Sequence, residues 1–440
     1  MGGEMKAGLR TSAQAAIMRA VHGHPGVTRA QVAAEIGIPS GFAAETVARL
    51  VAARLVCERP APSTGRRGRP TTSLCAHPDG PLVAAAAITH DTWQIAAVQL
   101  GGTKVAATVR PHHRNQGRVL DAVAAELDRV NRRFGARVRA AAVAVPGTVA
   151  GSKLVHAPGL GWHGIDLSAL WPRYEPGREF VAGNDATLAG VAESRHGAGA
   201  GAGTMVYLHL DAGVGGAVVE AGRAIRGTTG AAGEFGHMPF GDPARRCRCG
   251  ARGCWNTSLD GAALARLLHQ RVPADDVGYL RRVLASARAG EPSALSAIQA
   301  VASSIGRGVA GLVNGLDPHL VVVGGLGPEL LHIAADEVTA AYHDGLMAFR
   351  ATPPPPIVPA RLGPDAPLLG AADEAFALLL TDEGLQAWAN PDMGHRRQAL
   401  GQRPAHVVAP VPSGACRPPV VLARYFTFSA STVKHSGSRM

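Results

Sequence analysis

Three cysteines, Cys247, Cys249 and Cys254, lie within the eight-residue stretch CRCGARGC. The two glycines of this stretch permit the backbone angles that bring three thiolates together on a tight turn. His237, ten residues before the first cysteine, can supply a nitrogen ligand. Cys₃His is a closed ligand set for structural Zn²⁺, and in a reducing compartment such a cluster is more often a metal site than a disulfide framework. We therefore predict zinc at these four residues, as a brace for the surrounding loop.

A second candidate is the sequence GGTK at residues 101–104, which follows an apolar segment. It is similar to the loop that wraps phosphate in many ATP-dependent sugar kinases. Whether it binds phosphate depends on the strands around it. The pattern predicts strands over 82–88, 92–100 and 104–110, followed by a helix over 116–134. Three consecutive strands followed by a helix begin each half of the actin-like ATPase fold.

In that fold the phosphate loop lies between the first and second strands, whereas GGTK lies between the second and third. We therefore predict that Gly101 and Gly102 form a hairpin turn. The phosphate loop would instead be AAITHDT, residues 86–92, which contains no glycine. Ala87 stands where an Asp would be needed to hold the metal–nucleotide. A shifted strand register is the alternative.

The first 80 residues favour a winged helix-turn-helix, because two short helices flank a glycine turn and precede a strand. The predicted elements are a helix over 11–24, a helix over 29–36 capped by Thr28 and ended by Gly37, a second helix from Pro39 or Ser40 to about Ala53, and a strand over 55–59.

The second of these short helices would enter the major groove of DNA with its N-terminal end. Its outer face is poor in Arg and Asn, so we expect little direct reading of bases. An arginine-rich tip follows the strand and suits phosphates or a narrow minor groove, although a basic linker between domains is the alternative. The candidate DNA contacts are Thr28, Arg29, Ser40, Gly41, Ala44, Glu45, Arg66, Arg67 and Arg69.

Charge is concentrated at the two ends of the chain, which has 440 residues and a formal net charge of +11. Residues 1–80 contain ten Lys and Arg against five Asp and Glu, and residues 391–440 contain seven against one. A basic head on a near-neutral body indicates a polyanionic partner at the head, with a solvated surface as the alternative. The segment 389–440 is rich in Pro, Arg and Gly without periodicity, and we predict that it is disordered.

From residue 81 onward the chain carries several glycine-rich motifs. They are VAVPGTVAG (143–151), GNDATLAGVAE (183–193), GVGGAVVEAGRAIRGTTGAAGEFGHM (213–238), CRCGARGCW (247–255) and NGLDPHLVVVGG (314–325). With them the chain resembles the ROK family, named for repressors, open reading frames and kinases, from about Arg10 to Leu385. The head resembles the helix-turn-helix of the family's transcriptional repressors.

The resemblance implies a fold of two parts. A mainly helical winged helix-turn-helix domain (1–80) would be followed by an α/β actin-like ATPase body (81–388), ribonuclease H-like and two-lobed. It also implies that His237, Cys247, Cys249 and Cys254 hold zinc.

The resemblance further implies a sugar site. Asp185 matches the base that deprotonates the sugar hydroxyl in the family's kinases, with Asn184 beside it. Glu234 and His237 match residues that bind sugar hydroxyls. Asn256 replaces a sugar-binding Glu, which puts the sugar preference in doubt. A polar cluster that only orders loops is the alternative interpretation.

The nucleotide side of the resemblance is incomplete. Gly213, Gly215 and Gly216 resemble the second phosphate turn, and Gly324-Gly325 resembles the adenosine turn. The first phosphate loop is missing, and positioning of the triphosphate is most of the catalysis of phosphoryl transfer. Asp185 would then be a ligand contact and not a base.

Taken together, these features predict a cytoplasmic transcriptional regulator that is a repressor, forms a homodimer or higher homo-oligomer, and is not an enzyme. It would bind operator DNA and respond to a sugar or sugar phosphate. An ATP-dependent sugar kinase with an appended head is the first alternative, and a DNA-binding protein that senses no sugar is the second. No apolar signal core and no stretch long enough to span a membrane is present in the sequence.

Overall fold

The structure is a computed structural model that describes residues 2–60, 72–171, 178–211 and 213–389, with side chains from Ala13 onward. Three of the predicted DNA contacts, Arg66, Arg67 and Arg69, lie outside the described residues. The predicted disordered tail lies outside them too, apart from residue 389.

The head consists of three helices and a two-stranded antiparallel hairpin. These elements are α1 (Gly2–Gly23), α2 (Arg29–Ile36), α3 (Ser40–Ala52), β1 (Val56–Pro60) and β2 (Thr72–Ala76). Their boundaries match the sequence prediction closely, except that α1 begins at Gly2 and not at residue 11.

Local capping explains the boundaries of α2. The Thr28 hydroxyl accepts a hydrogen bond from the Gln31 amide, and the Gln31 side chain accepts one from the Thr28 amide, which is a complete capping box. At the other end Gly37 adopts φ 73°, a left-handed conformation that glycine adopts without strain.

The first lobe of the body is a mixed five-stranded sheet with the strand order β10-β6-β3-β4-β5. Strands β3, β4 and β5 form an antiparallel meander, and β6 and β10 continue the sheet in parallel. A small antiparallel sheet, β7-β8-β9, lies beyond it. The elements of this lobe are β3 (Leu82–Ile88), β4 (Thr92–Gln99), β5 (Lys104–Pro111), α4 (Gln116–Phe134), β6 (Val138–Val145), β7 (Thr148–Ala150), β8 (Lys153–Ala157), β9 (Trp162–Asp166) and β10 (Glu179–Asn184).

The second lobe is a five-stranded sheet with the order β13-β12-β11-β14-β15, so that each lobe combines antiparallel and parallel neighbours. Its elements are α5 (Asp185–His196), β11 (Thr204–Leu210), β12 (Val214–Glu220), β13 (Arg223–Ala224), α6 (Gly261–Leu267), α7 (Asp276–Arg288), α8 (Pro292–Leu316), β14 (Leu320–Gly325), α9 (Gly327–Gly345) and β15 (Ile357–Pro359). Two further helices, α10 (Ala366–Leu379) and α11 (Asp382–Ala389), return to the first lobe and the head.

Strand β3 lies at the centre of the first sheet, and all seven of its residues are buried. A strand covered on both faces is apolar throughout instead of alternating, which explains the run LVAAAAI. The three strands lie where the sequence placed them, with β4 ending one residue earlier and β5 one residue later than predicted. The GGTK sequence is therefore at the β4–β5 hairpin.

Helices α5 and α10 approach each other closely because glycine removes the side chain at the contact. A β-carbon at Gly370 of α10 would overlap the carbonyl oxygen of Leu188 in α5. Every residue from Leu188 to Ser194 is buried. Helix α5 is thus a rigid element that links the carboxyl end of β10 to the surface of α10.

The core of the head is continuous with the core of the first lobe. Ile17 and Met18 of α1 are fully buried in the same apolar cluster as Phe376 of α10. Hydrogen bonds add to this contact: Arg19 donates to the Leu380 carbonyl oxygen over 3.0 Å, and the Trp388 indole donates to the Ala53 carbonyl oxygen over 2.8 Å. The described part of the chain therefore contains a head that is seated on the body.

Among the described residues, no helix combines the length and the apolar character that crossing a membrane would require.

Candidate functional site

The first part of the candidate site is the start of α5. Asn184 is the N-cap: its side-chain oxygen accepts from the Thr187 amide over 2.9 Å, and its side-chain nitrogen donates to the Gly147 carbonyl oxygen over 3.0 Å. Asp185 is half-buried, and one of its oxygens accepts from the Ala186 amide over 2.8 Å. Asn184 thus fixes the turn, and the second oxygen of Asp185 is the one with capacity to bind a hydroxyl.

The second part is a single helical turn at Phe235–His237, which carries Glu234 at its N-cap. The Thr148 hydroxyl donates to a Glu234 oxygen over 3.2 Å. Thr148 follows Gly147, whose carbonyl oxygen accepts from Asn184, so one loop of the first lobe contacts both Asn184 and Glu234. This loop therefore brings the two groups of predicted sugar contacts close together.

Asn256 joins the same region from the loop after Cys254. Its side-chain oxygen accepts a hydrogen bond from the Val214 amide over 2.7 Å. A β-carbon at Gly213 would lie 2.9 Å from that oxygen, and one at Gly236 would overlap the side chain. Asn256 therefore holds the 213–216 glycine turn against the Glu234–His237 segment, and its amide nitrogen remains available to donate to a ligand.

The cysteine loop brings the predicted metal ligands together. One ligand atom from each of His237, Cys247, Cys249 and Cys254 lies within 4.8 Å of all the others. The Cys249 and Cys254 sulfurs are 3.6 Å apart, and the Cys247 sulfur is 3.8 Å from His237 Nδ1. Soft thiolates and an imidazole at this spacing are a donor set that suits a tetrahedral divalent cation.

The thiols of this loop differ in acidity. Burial, followed by hydrogen bonds from the neighbouring cysteines, raises the pKa of Cys254 to about 12. A hydrogen bond from the Ala251 backbone amide lowers the pKa of Cys249. A bound cation must therefore displace the proton of Cys254, which makes binding at this site dependent on pH.

His237 faces both sites with different nitrogens. Nδ1 points towards Cys247, whereas Nε2 lies 4.0 Å from a Glu234 oxygen. A cation on Nδ1 would leave the proton on Nε2, on the side of the sugar contacts. The two roles predicted for this residue are thus compatible.

The turn between β3 and β4 closes on itself. The Thr89 amide donates to the Thr92 carbonyl oxygen over 2.8 Å. The Thr89 hydroxyl oxygen lies 3.1 Å from that carbonyl oxygen, 2.9 Å from the Thr92 hydroxyl and 3.0 Å from an Asp91 carboxylate oxygen, and its single proton serves one of them. Ala87 is fully buried in β3. The amides of Thr89, Asp91 and Thr92 are thus used within the turn, and Ala87 offers no carboxylate for a metal–nucleotide.

The glycine hairpin has a different contact. The Gly101 amide donates to His22 Nδ1 over 3.0 Å, and a β-carbon at Gly101 would lie 2.7 Å from the Pro25 ring. Both glycines have positive φ, 81° and 80°, as a tight turn requires. GGTK therefore forms a seat for the head.

In the head, the predicted DNA contacts are used to different extents by the fold itself. Thr28 is committed to its cap, and Arg29 pairs with Glu58 over 3.1 Å. Glu45 bonds Arg49 one turn later. Ser40 and Gly41 are exposed at the first turn of α3, and Ala44 is half-buried. The exposed start of α3 is thus the part of the helix pair that is free to meet a partner.

Comparison with known proteins decides the family. The sequence profile of the ROK family matches residues 87–377. The chain belongs to the ROK family. A profile of the MarR family matches residues 8–67, so the ROK body carries a MarR-type winged helix at its N-terminus. The predicted fold class, a winged helix followed by an actin-like ROK body, is confirmed.

Individual ROK relatives include both kinases and repressors. A glucokinase from Streptomyces coelicolor is 29% identical over 311 residues, which are 63% of this chain and 96% of the relative. A xylose repressor from Bacillus spizizenii is 26% identical over 233 residues, 52% of this chain and 58% of the repressor. A solved ROK family transcriptional regulator, described as a homologue of the E. coli MLC protein, has a TM-score of 0.68 at 21% identity and covers 87% of this chain and 99% of its own. At that identity the likeness shows the fold.

The structure adds one residue to the candidate site that the sequence analysis did not select. Asp211 follows β11 directly, before the 213–216 glycine turn, and its carboxylate lies 3.9 Å from His90 Nδ1. Burial raises the pKa of Asp211, and the negative charge of Asp185 adds to this effect, whereas His209 and His90 oppose it. A polar residue at the end of a buried strand was the available signal in the sequence.

Proposed function

We propose that this protein is a DNA-binding transcriptional regulator that responds to a sugar or sugar phosphate and has no kinase activity. The observation that carries the proposal is the closed Thr89–Thr92 turn. It occupies the place of the first phosphate loop in a chain that also has a MarR-type head. A kinase needs open backbone donors at this place, because positioning of the triphosphate supplies most of its catalysis.

Asp211 supports the same conclusion. Its carboxylate stands directly before the glycine turn that resembles the second phosphate-binding turn. A carboxyl group there offers the phosphate oxygens of a triphosphate neither positive charge nor an amide donor. At the first turn Asp91 is paired with Arg281 over 3.4 Å, so that arginine is already engaged.

The sugar would bind between Asp185 and the Glu234–His237 segment, with Asn256 beside them. Carboxylates and an imidazole hydrogen-bond several hydroxyls at fixed angles, which suits a polyol. Zinc held by His237 and the three cysteines would brace this wall. It would fix the His237 ring, and no chemistry would pass through it.

DNA would bind through the exposed start of α3 and the arginines of the 61–71 segment. We infer a cytoplasmic location from this proposed partner. We infer a homodimer, since two heads reading two half-sites is the usual geometry of such domains. Sugar binding would change the relative placement of the heads and so the affinity for DNA.

The test is fluorescence anisotropy on DNA from upstream of the protein's own gene, with a panel of glucose, xylose, N-acetylmannosamine and glucose 6-phosphate, with and without Mg-ATP. We expect salt-sensitive DNA binding that one member of the panel changes without ATP. Asp185→Asn should abolish the sugar response and leave sugar-free DNA binding unchanged. An exposed control, Asp336→Asn, should behave as wild type.

The alternative function is an ATP-dependent sugar kinase, which the free oxygen of the half-buried Asp185 favours. In that case Mg-ATP would be consumed when a sugar is added, and Asp185→Asn would abolish this consumption. That result, with no specific DNA binding at any salt concentration, would contradict the regulator.

A further inference from the structure

Three titratable side chains from distant parts of the chain meet under the head. His22 comes from the last turn of α1, His196 from the last turn of α5, and Asp373 from α10. Both His22 Nε2 and His196 Nε2 lie 3.0 Å from the same oxygen, Asp373 Oδ1. His22 and Asp373 are buried, with 6% and 1% of their surfaces exposed. We call these three residues the clasp.

The clasp is not arranged to hold a metal ion, although its ligand atoms are close enough. The Gly101 amide donates to His22 Nδ1, so that nitrogen carries no proton. A neutral His22 must then carry its proton on Nε2, the nitrogen that faces Asp373. Nε2 consequently has no lone pair for a cation, and its N–H is on the side of the Asp373 carboxylate.

Asp373 is ionised in this setting. Burial alone raises the pKa of its carboxyl, but hydrogen bonds from His196 and His22 outweigh burial and hold the pKa below its usual value. One buried carboxylate therefore ties α1 to α5. The ring of His22 also packs on Phe376, with centroids 4.8 Å apart, and edge-on against His196 at 5.7 Å.

The hydrogen bonding of the clasp is incomplete. Asp373 Oδ2 and His22 Nε2 are both buried without a well-aligned hydrogen-bond partner among the described residues. Nε2 is near Oδ1 in distance but poorly aligned with it. An unsatisfied buried donor beside an unsatisfied buried acceptor costs free energy, so the clasp holds α1 on α10 less strongly than its distances alone would indicate.

Helix α5 connects the clasp to the sugar contacts. It begins at Asp185 and ends at His196, a rise of about 17 Å. Its packing against α10 at Gly370 leaves no room for bending, so a displacement at one end reaches the other. A ligand that pulls on Asp185 thus acts on the hydrogen bond between His196 and Asp373.

We propose that the His22–Asp373–His196 clasp is the element that transmits sugar occupancy at the start of α5 to the position of the DNA-binding head. This proposal rests on the proposed function, since it assumes a sugar at Asp185 and DNA at the head. It assigns positioning roles to three residues that touch neither ligand.

The experiment measures DNA affinity with and without each sugar of the same panel, in wild type and in two variants of one residue. His22→Phe keeps the ring contact with Phe376 and removes both the hydrogen bond from the Gly101 amide and the polar contact with Asp373. His22→Gln can still accept from the Gly101 amide and donate to Asp373. Isothermal titration of the sugar checks that the sugar site is intact in each variant. His24→Gln, an exposed neighbour on the turn after α1, is the matched control.

We expect a change in DNA affinity of at least about fivefold in wild type, within the usual range of allosteric coupling. In His22→Phe the change should fall below about twofold, while sugar still binds. His22→Gln and His24→Gln should keep most of the wild-type response. If His22→Phe does not fold, the isosteric Asp373→Asn supplies the same comparison, with Asp336→Asn as its control.

The possible failures are distinct. A wild type that no sugar affects would overturn the proposed function, and the clasp proposal with it. A wild type that responds, with an equal response in His22→Phe, would overturn the clasp proposal alone. Loss of the response in His22→Gln as well as His22→Phe, with sugar binding intact, would assign the coupling to the imidazole ring and contradict the hydrogen-bond mechanism.

Discussion

At the scale of single residues, the fold uses several of the predicted sugar contacts to hold its own loops. The Asn256 oxygen is occupied by the Val214 amide, and Asn184 is occupied by Thr187 and Gly147. The groups with remaining capacity are one oxygen of Asp185, the amide nitrogen of Asn256, the outer nitrogen of His237 and Glu234. A smaller set of free donors and acceptors predicts narrower recognition of hydroxyls than the motif alone would indicate.

Cys254→Ser should remove the metal. The buried thiol becomes a hard hydroxyl that zinc binds poorly, so the zinc content should fall from about one ion per chain to near zero, with a lower melting temperature. Elemental analysis and thermal unfolding measure the two effects. Cys57→Ser, at a half-buried cysteine of β1, should keep the zinc. Equal zinc in both variants would contradict the assignment.

Asp211→Asn should change the dependence of stability on pH. Because burial raises the pKa of Asp211 in the folded protein, the folded state binds this proton more tightly than the unfolded state. Wild-type stability is therefore lost as pH rises from the ordinary carboxyl pKa through the raised one. The variant should be more stable than wild type at pH 7, with the difference shrinking towards pH 4. Denaturant unfolding across this range measures it, and a variant less stable than wild type at pH 7 would contradict the assignment.

At the scale of elements, local signals define most of the boundaries. Thr28 and Gly37 fix the ends of α2, and the all-apolar β3 identifies the central strand. Counting strands from β3 was enough to place Gly101 in a hairpin. The partner of that hairpin could not be predicted, because the relevant contact, with His22, is made by a side chain 79 residues away and follows no pattern along the chain.

Gly370→Ala should destabilise the protein strongly. The new methyl group would overlap the Leu188 carbonyl oxygen, and backbone on both helices would have to move. We expect a loss of about 3 kcal/mol in the free energy of unfolding, at the upper end for overpacking. Denaturant unfolding measures it.

The control for that prediction is Gly315→Ala. Gly315 is also in a helix, is exposed, and has open space around a β-carbon. There alanine should raise the free energy of unfolding by about 0.5–1 kcal/mol, since it restricts the unfolded chain. If both variants changed the free energy of unfolding equally, the effect at Gly370 would not come from the close α5–α10 contact.

At the scale of the whole molecule, sequence motifs predicted the order of domains and the two-lobed body. They did not predict that the head packs against the body. Motifs report what each segment folds into. The contacts of α1 with α10 and α11 are made by ordinary apolar residues, such as Ile17 and Phe376, whose types indicate burial and not a partner. The clasp was missed for the same reason, since its residues are 174 and 177 positions apart.

Because the head is basic, we expect the salt dependence of DNA affinity to come from the arginines of the head. Replacing Arg66, Arg67 and Arg69 with Gln should weaken binding to any DNA sequence. It should also make the slope of log affinity against log salt shallower by about 2.7, because each phosphate that an arginine neutralises adds about 0.9 to the slope. Anisotropy titrations at several salt concentrations measure the slope.

A matched control removes the same charge from the body. Arg129, Arg132 and Arg133 are exposed on α4, and their joint replacement with Gln should leave the slope unchanged. Equal slopes in the two triple variants would show that net charge, and not the head, determines binding.

The return of α11 to the head has a consequence during synthesis. The Ala53 carbonyl oxygen is bonded by Trp388, 335 residues further along the chain, and the apolar face of α1 is covered by Phe376. A ribosome adding about 5–20 residues per second needs tens of seconds to make the intervening chain. During that time the head is present but its contacts with α10 and α11 are not. The nascent chain therefore has an unfixed DNA-binding head, and only the finished polypeptide holds it in a defined position.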